Sequence, residues 1–155
     1  WFGSNQADVG CWSDEPSLTC DSIPLARYQM VAALPLDHPF ATEENNPIEE
    51  CTYEAFIMPG KGQDIDTTRI LSRHGLSPNI AYETIETVAT LGMIEAGMGM
   101  TIINSLAVKN YGFDLALVPI EQPESILFGL AASSRKTCEP ATRHFIDCAV
   151  AQLEE

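Results

Sequence analysis

Residues 83–103 constrain the fold more than any other stretch of this chain. Ile85, Val88, Leu91 (or Gly92) and Ile94 or Glu95 recur at helical spacing, and the pattern stops at Ala96-Gly97. Gly97 is placed to take the left-handed conformation that closes a helix, and Gly99 permits a second close backbone approach. Met100-Thr101-Ile102-Ile103 then reads as a short buried strand. A helix, an Ala-Gly-Met-Gly hinge and an apolar strand make an α/β unit, not a helical bundle.

The rest of the sequence alternates in the same way. Residues 9–12, 28–34, 54–58, 115–120 and 126–131 read as strands, each bounded by polar, Pro or Gly punctuation. A helix capped by Asp64 or Asp66 runs to His74, with Gly75 as its stop. Residues 79–83 are extended and lead into the hinge helix. Pro140 opens a last helix whose apolar face carries Phe145, Cys148, Ala149 and Leu153. Such alternation predicts a mostly parallel sheet covered on both faces.

The chain has 155 residues, room for about one domain or two small lobes. It carries 22 acids against 8 bases, a net charge of -14, with an unrelieved acidic run at Glu43, Glu44, Glu49, Glu50 and Glu54. A surface this acidic repels a phosphate backbone, so this portion is not expected to bind nucleic acid by itself. Five cysteines, an odd number without Cys-x-x-Cys spacing, point to free thiols in a reducing cytosol. No apolar run is long enough to span a membrane as a helix.

Enzyme chemistry finds little support. There is no Gly-x-Ser-x-Gly elbow for a hydrolase nucleophile. His38, His74 and His144 are read as lacking metal-ligand spacing to one another or to a cysteine, so no metal site and no cofactor is expected. Gly60-Lys61-Gly62 lacks the Gly-Lys-Ser/Thr ending of a nucleotide loop. Pro59-Gly60-Lys61-Gly62 is still the best ligand loop in the chain. It joins a strand end to a helix N-terminus, where backbone N–H groups collect, and Lys61 adds a positive charge. Asp64 and Asp66 in the following first turn oppose a strongly anionic ligand, leaving a weak acid, a zwitterion or a neutral molecule.

The hinge unit also resembles the second-lobe signature of the effector-binding domain of LysR-type transcriptional regulators. Other segments follow that family's order. Ala7-Asp8-Val9-Gly10 resembles its Asp-Leu-Ala-Ile strand, and Ile23-Pro24-Leu25 its Pro-Leu step before the crossover. Leu36-Asp37-His38-Pro39-Phe40-Ala41 resembles its His-Pro-Leu-Ala turn, and Pro47-Ile48-Glu49-Glu50-Cys51 its Leu-Glu-Asp-Leu turn. Ser134-Arg135-Lys136 and the helix around Phe145 resemble its C-terminal end. Asn104 departs from the usual proline after the strand, and Cys51 replaces a leucine.

The resemblance implies a two-lobed, periplasmic-binding-protein-like (type 2) α/β fold. Residues 1–27 and 118–155 would form part of the first lobe and 28–117 the second, with crossings near residues 25–28 and 117–120. The first lobe would lack its first strand, first helix and second strand, and Trp1-Phe2-Gly3 is no translation start. By position, the effector would contact Pro59, Gly60, Lys61 and Gly62, with Cys11, Trp12 and Ser13 across a cleft. Glu83, fourteen residues before Gly97, falls at the pocket edge. The peroxide-sensing members' cysteine pair has no counterpart between Met58 and Leu71. The implied function is that of a small-molecule effector-binding domain of a cytoplasmic regulator, not an enzyme. Such a regulator binds DNA only through a helix-turn-helix region absent from this sequence, and works as a homo-oligomer. The alternative is a solute-binding protein that serves a transporter, which shares this architecture.

Overall fold

The structure is a computed structural model that describes residues 7–13, 20–45, 47–62, 65–109, 111–132 and 138–152. The cap at Asp64, the segment Ser134-Arg135-Lys136 and Leu153 lie outside the described residues, as do the side chains of residues 61–65. The chain divides into two compact units, Gln29–Ser125 on the one hand and Trp1–Tyr28 with Ile126–Glu155 on the other.

In the unit Gln29–Ser125 the hinge forms as its sequence dictates. Helix α2 (Thr87–Glu95) ends in a Schellman motif: Met98 N–H bonds the carbonyl of Met93 at 3.0 Å and Gly97 N–H that of Ile94 at 2.8 Å. Gly97 has φ 73°. Helix α1 (Ile65–Arg73) ends in the same motif at Gly75, with Leu76 N–H on Leu71 and Gly75 N–H on Ser72. The buried face of α2 is shifted from its apolar periodicity. Thr90, Leu91 and Ile94 point inward, whereas Ile85 is 68% exposed and Val88 47% exposed. The helix starts only at Thr87, so Ile85 precedes it and its phase does not continue into the helix.

Strand β2 (Asp21–Pro35) is longer than the apolar run suggests. From Met30 to Pro35 every residue is buried, and β5 (Thr101–Asn104) and β6 (Leu115–Pro119) flank this part on its two edges. A strand paired on both edges and covered on both faces reads as an unbroken apolar segment. Val31 and Ala33 of β2 join Ile57, Leu91, Ile94, Ile103 and Val108 in this unit's core. Strand β3 (Phe56–Met58) pairs with β4 (Ile80–Glu83) and touches β5 through the Phe56–Met100 bridge. Buried threonines satisfy their hydroxyls on strand carbonyls, Thr101 on Ile57 and Thr67 on Ile102, both at 2.8 Å.

A mostly parallel sheet does not form. β2 is antiparallel to both β5 and β6, and β1 (Val9–Ser13) to β7 (Ser125–Ala132); β3 and β4 run parallel. Periodicity identifies an element as strand or helix, but the direction of each strand depends on which edge its connection reaches.

Three small structures tie this unit together. Asn104 caps α3 (Ser105–Val108), its Oδ1 accepting from Ala107 N–H at 2.9 Å. His38 lies in the turn after β2, where Nδ1 accepts from Phe40 N–H at 3.1 Å. Its other nitrogen, Nε2, therefore carries the proton and donates to Glu54 at 2.6 Å. At the end of α1, Arg73 and His74 both hold the carboxylate of Glu124, and the backbone carbonyl of Glu124 accepts Met30 N–H at 2.8 Å.

Residues 47–51 give a 3-10 turn, Ile48–Thr52, that buries Ile48 and Cys51. Cys51 fills its leucine-like place at 0% exposure, and burial, reinforced by Glu49, pushes its thiol up from 9.0 to about 11. A thiol-alkylating reagent is expected to label the exposed Cys11 and Cys148 long before Cys51. Between pH 9.0 and about 11 the folded chain keeps a Cys51 proton that the unfolded chain has lost, so stability falls across that window. Denaturant melts of the parent and of Cys51→Val measure this contribution. A parent whose slope with pH matches the variant's would show the thiol to be solvated.

In the other unit, β7 lies between β1 and the first part of β2. Here the residues of β2 are exposed or half-buried, and among the described strands it has a neighbour on one edge only. An edge position accommodates Pro24, which lacks a backbone N–H. Leu130 and Ala132 of β7 pack with Ile146 of helix α4 (Pro140–Ala151), joined by Val9, Ile23, Leu25, Ala149 and Val150. Pro140 stands in the first helical turn as expected. The inward face of α4 is rotated from the expected one: Thr142 and Ile146 are buried, Phe145 is 55% exposed, and Cys148 faces solvent.

Candidate functional site

Strand β3 ends in a 3-10 turn, Pro59–Gly62, that leads into α1. Pro59 is buried and Gly60 half-buried, with φ 61° at Gly60. That left-handed value makes glycine the suitable residue there. The turn packs against β4 and α2. In the parallel register Met58 pairs with Glu83, so the loop and Glu83 begin side by side. Thr84 then locks this corner: its N–H bonds the carbonyl of Met58 at 3.0 Å and its hydroxyl meets that of Thr90 at 2.6 Å. Ile80, Ala81, Tyr82 and Glu83 line an open concavity of about 500 Å³. Glu83 itself is exposed, as are all four residues of β4.

Asp66, in the first turn of α1, is buried and lies 3.9 Å from Arg69 of the same helix. Its charge therefore opposes an anion at the loop less than the bare sequence suggests.

The other three candidates lie in the other unit, consecutively on β1. Cys11 is exposed, and Trp12 and Ser13 are half-buried. Alternation along a strand sends Trp12 to one face and Cys11 and Ser13 to the opposite one. Trp12 lies across its register partner Gly129 and donates its indole N–H to the carbonyl of Leu130 at 2.9 Å. Its polar handle is thus already engaged. The corner made by Thr84 and Thr90 is not legible in the sequence, because a buried threonine pair has no spacing signal of its own.

Comparison with known proteins decides the family. The model of the LysR substrate binding domain matches residues 2–154. The chain belongs to this LysR family. The HTH-type transcriptional regulator AlsR of Bacillus subtilis is 29% identical over 120 residues, 75% of this chain and 40% of that protein. The LysR domain described here thus spans about two fifths of that relative's length. The regulatory domain of Synechocystis PCC6803 CcmR, solved in complex with 2-PG, matches with a TM-score of 0.85 and 24% identity, over 99% of this chain and 77% of that one. The effector binding domain of QuiR in complex with shikimate matches at 0.76 and 17% identity, over 99% and 75%.

These likenesses give the LysR domain its fold, the type 2 periplasmic-binding-protein-like α/β fold expected from the resemblance. They also identify it as an effector-binding domain within a family of transcriptional regulators, and they do not favour a transporter's solute-binding protein. Among the described residues no helix is long and apolar enough to cross a membrane.

Proposed function

We propose that this domain binds a small polar effector at the corner formed by Pro59–Gly62 and Glu83, and that binding there sets the activity of a DNA-binding regulator. The observation that carries the reading is the Met58–Glu83 pairing, which joins the glycine-bearing turn to the wall of a 500 Å³ concavity. CcmR and QuiR, whose domains share this fold, were captured in complex with 2-PG and with shikimate. In the whole protein the domain biases a two-state equilibrium that DNA-binding heads report, as ligands do when they prefer one conformation. The reading carries with it a homo-oligomeric cytoplasmic regulator without catalytic turnover.

A thermal-shift screen of small carboxylic acids, phosphates and sugars against the full-length regulator identifies the effector. Gly60→Val then removes the response, because a β-branched residue cannot hold the left-handed backbone of the turn without strain. Lys61→Ala weakens an anionic effector by about 1–3 kcal/mol, the worth of a charged hydrogen bond, and leaves a neutral one nearly unchanged. If both variants respond like the parent, the effector binds elsewhere.

A further inference from the structure

We propose that His144 and Cys148, one turn apart on α4, form a two-point chelate for a borderline divalent cation of the zinc type. Read as a core residue, Cys148 hides a His-x-x-x-Cys spacing; exposed on the helix, it displays one. The structure places Cys148 Sγ 3.6 Å from His144 Nε2. A tetrahedral centre with a metal–nitrogen bond of about 2.0–2.1 Å and a metal–sulfur bond of about 2.3 Å holds the two donor atoms about 3.5 Å apart. The pair therefore already has the bite of a tetrahedral site.

Three further features favour a cation there. Among the described residues neither side chain has another hydrogen-bonding or ionic partner, so both donors are available. Cys148 lies in the last turn of α4, the negative end of the helix dipole, and no basic side chain occupies that turn. The chain as a whole carries a net charge of -14, which attracts cations. Binding replaces the thiol proton by the metal, releases that proton to solvent, and leaves two coordination positions for water. The site lies in the unit that contains α4 and is independent of the effector corner.

Cobalt(II), added to the reduced, metal-free chain, tests this. One equivalent is expected to produce the near-ultraviolet thiolate-to-cobalt absorption band, and zinc(II) to displace it. Cys148→Ser should abolish the band and His144→Ala should weaken cobalt binding at least tenfold. Cys11→Ser, which removes the other exposed thiol of the same unit, should leave both unchanged. Both helix side chains are exposed, so neither variant disturbs the core. A band that survives Cys148→Ser, or an affinity unaltered in His144→Ala, overturns the chelate.

Discussion

Gly99→Ala is expected to destabilise the domain by about 4 kcal/mol, a large share of what a domain of this size possesses. Two costs combine. Gly99 has φ 153°, a backbone region that L-residues rarely adopt. A Cβ there would also overlap the carbonyl oxygen of Ala55 and sit 3.0 Å from its carbonyl carbon. That oxygen cannot step aside freely, because it accepts Met100 N–H at 2.9 Å in the contact that joins β3 to β5. Nearby glycines supply controls. A Cβ on Gly97 meets nothing within 4 Å, so Gly97→Ala pays only the left-handed penalty of about 1 kcal/mol. Gly92→Ala, inside α2 and 3.7 Å from Phe113, is expected to be neutral or stabilising by up to about 1 kcal/mol. Denaturant unfolding of the three variants should reproduce this order. A Gly99→Ala protein as stable as the Gly92→Ala protein would mean that the hinge is not packed as described.

Gly129→Ala is expected to cost about 2–4 kcal/mol, for a different reason. Its Cβ would overlap the Trp12 indole on one side and come within 2.5 Å of the Ile23 carbonyl oxygen on the other. The backbone of β2 cannot move without dragging a strand, so the indole must lift and lose its bond to Leu130. Tryptophan emission reads this directly in a Trp1→Phe background: it should shift to the red as Trp12 enters water. If the emission of the folded variant is unchanged, the ring does not lie over Gly129.

Much of the element pattern is legible because local chemistry determines it. Gly75 and Gly97 stop helices through their own backbone freedom, and Pro140 opens one because its missing N–H costs nothing there. The loop at Pro59–Gly62 is legible for the same reason: a strand end, two glycines and a helix start are neighbours in sequence. Faces are less legible. Leu91 and Ile94 are buried as their spacing predicts, but Ile85, Val88, Phe145 and Cys148 are exposed, and Thr90, Thr142 and Ile146 are turned inward in their place. A helical period fixes which residues share a face, and the neighbouring strands select which face is covered.

By itself, then, the sequence determined the α/β character, the hinge, the candidate loop and, through ordered short segments, the LysR family. Each of these rests on residues adjacent or one turn apart, where sterics and backbone hydrogen bonding act without help from the rest of the chain. Only the tertiary structure decided that β2 pairs antiparallel on both edges, that Met58 stands beside Glu83, and that Trp12 is held down over Gly129. Those facts join residues 25 to more than 100 positions apart. Their energy comes from burying apolar surface against a partner whose position no local rule encodes.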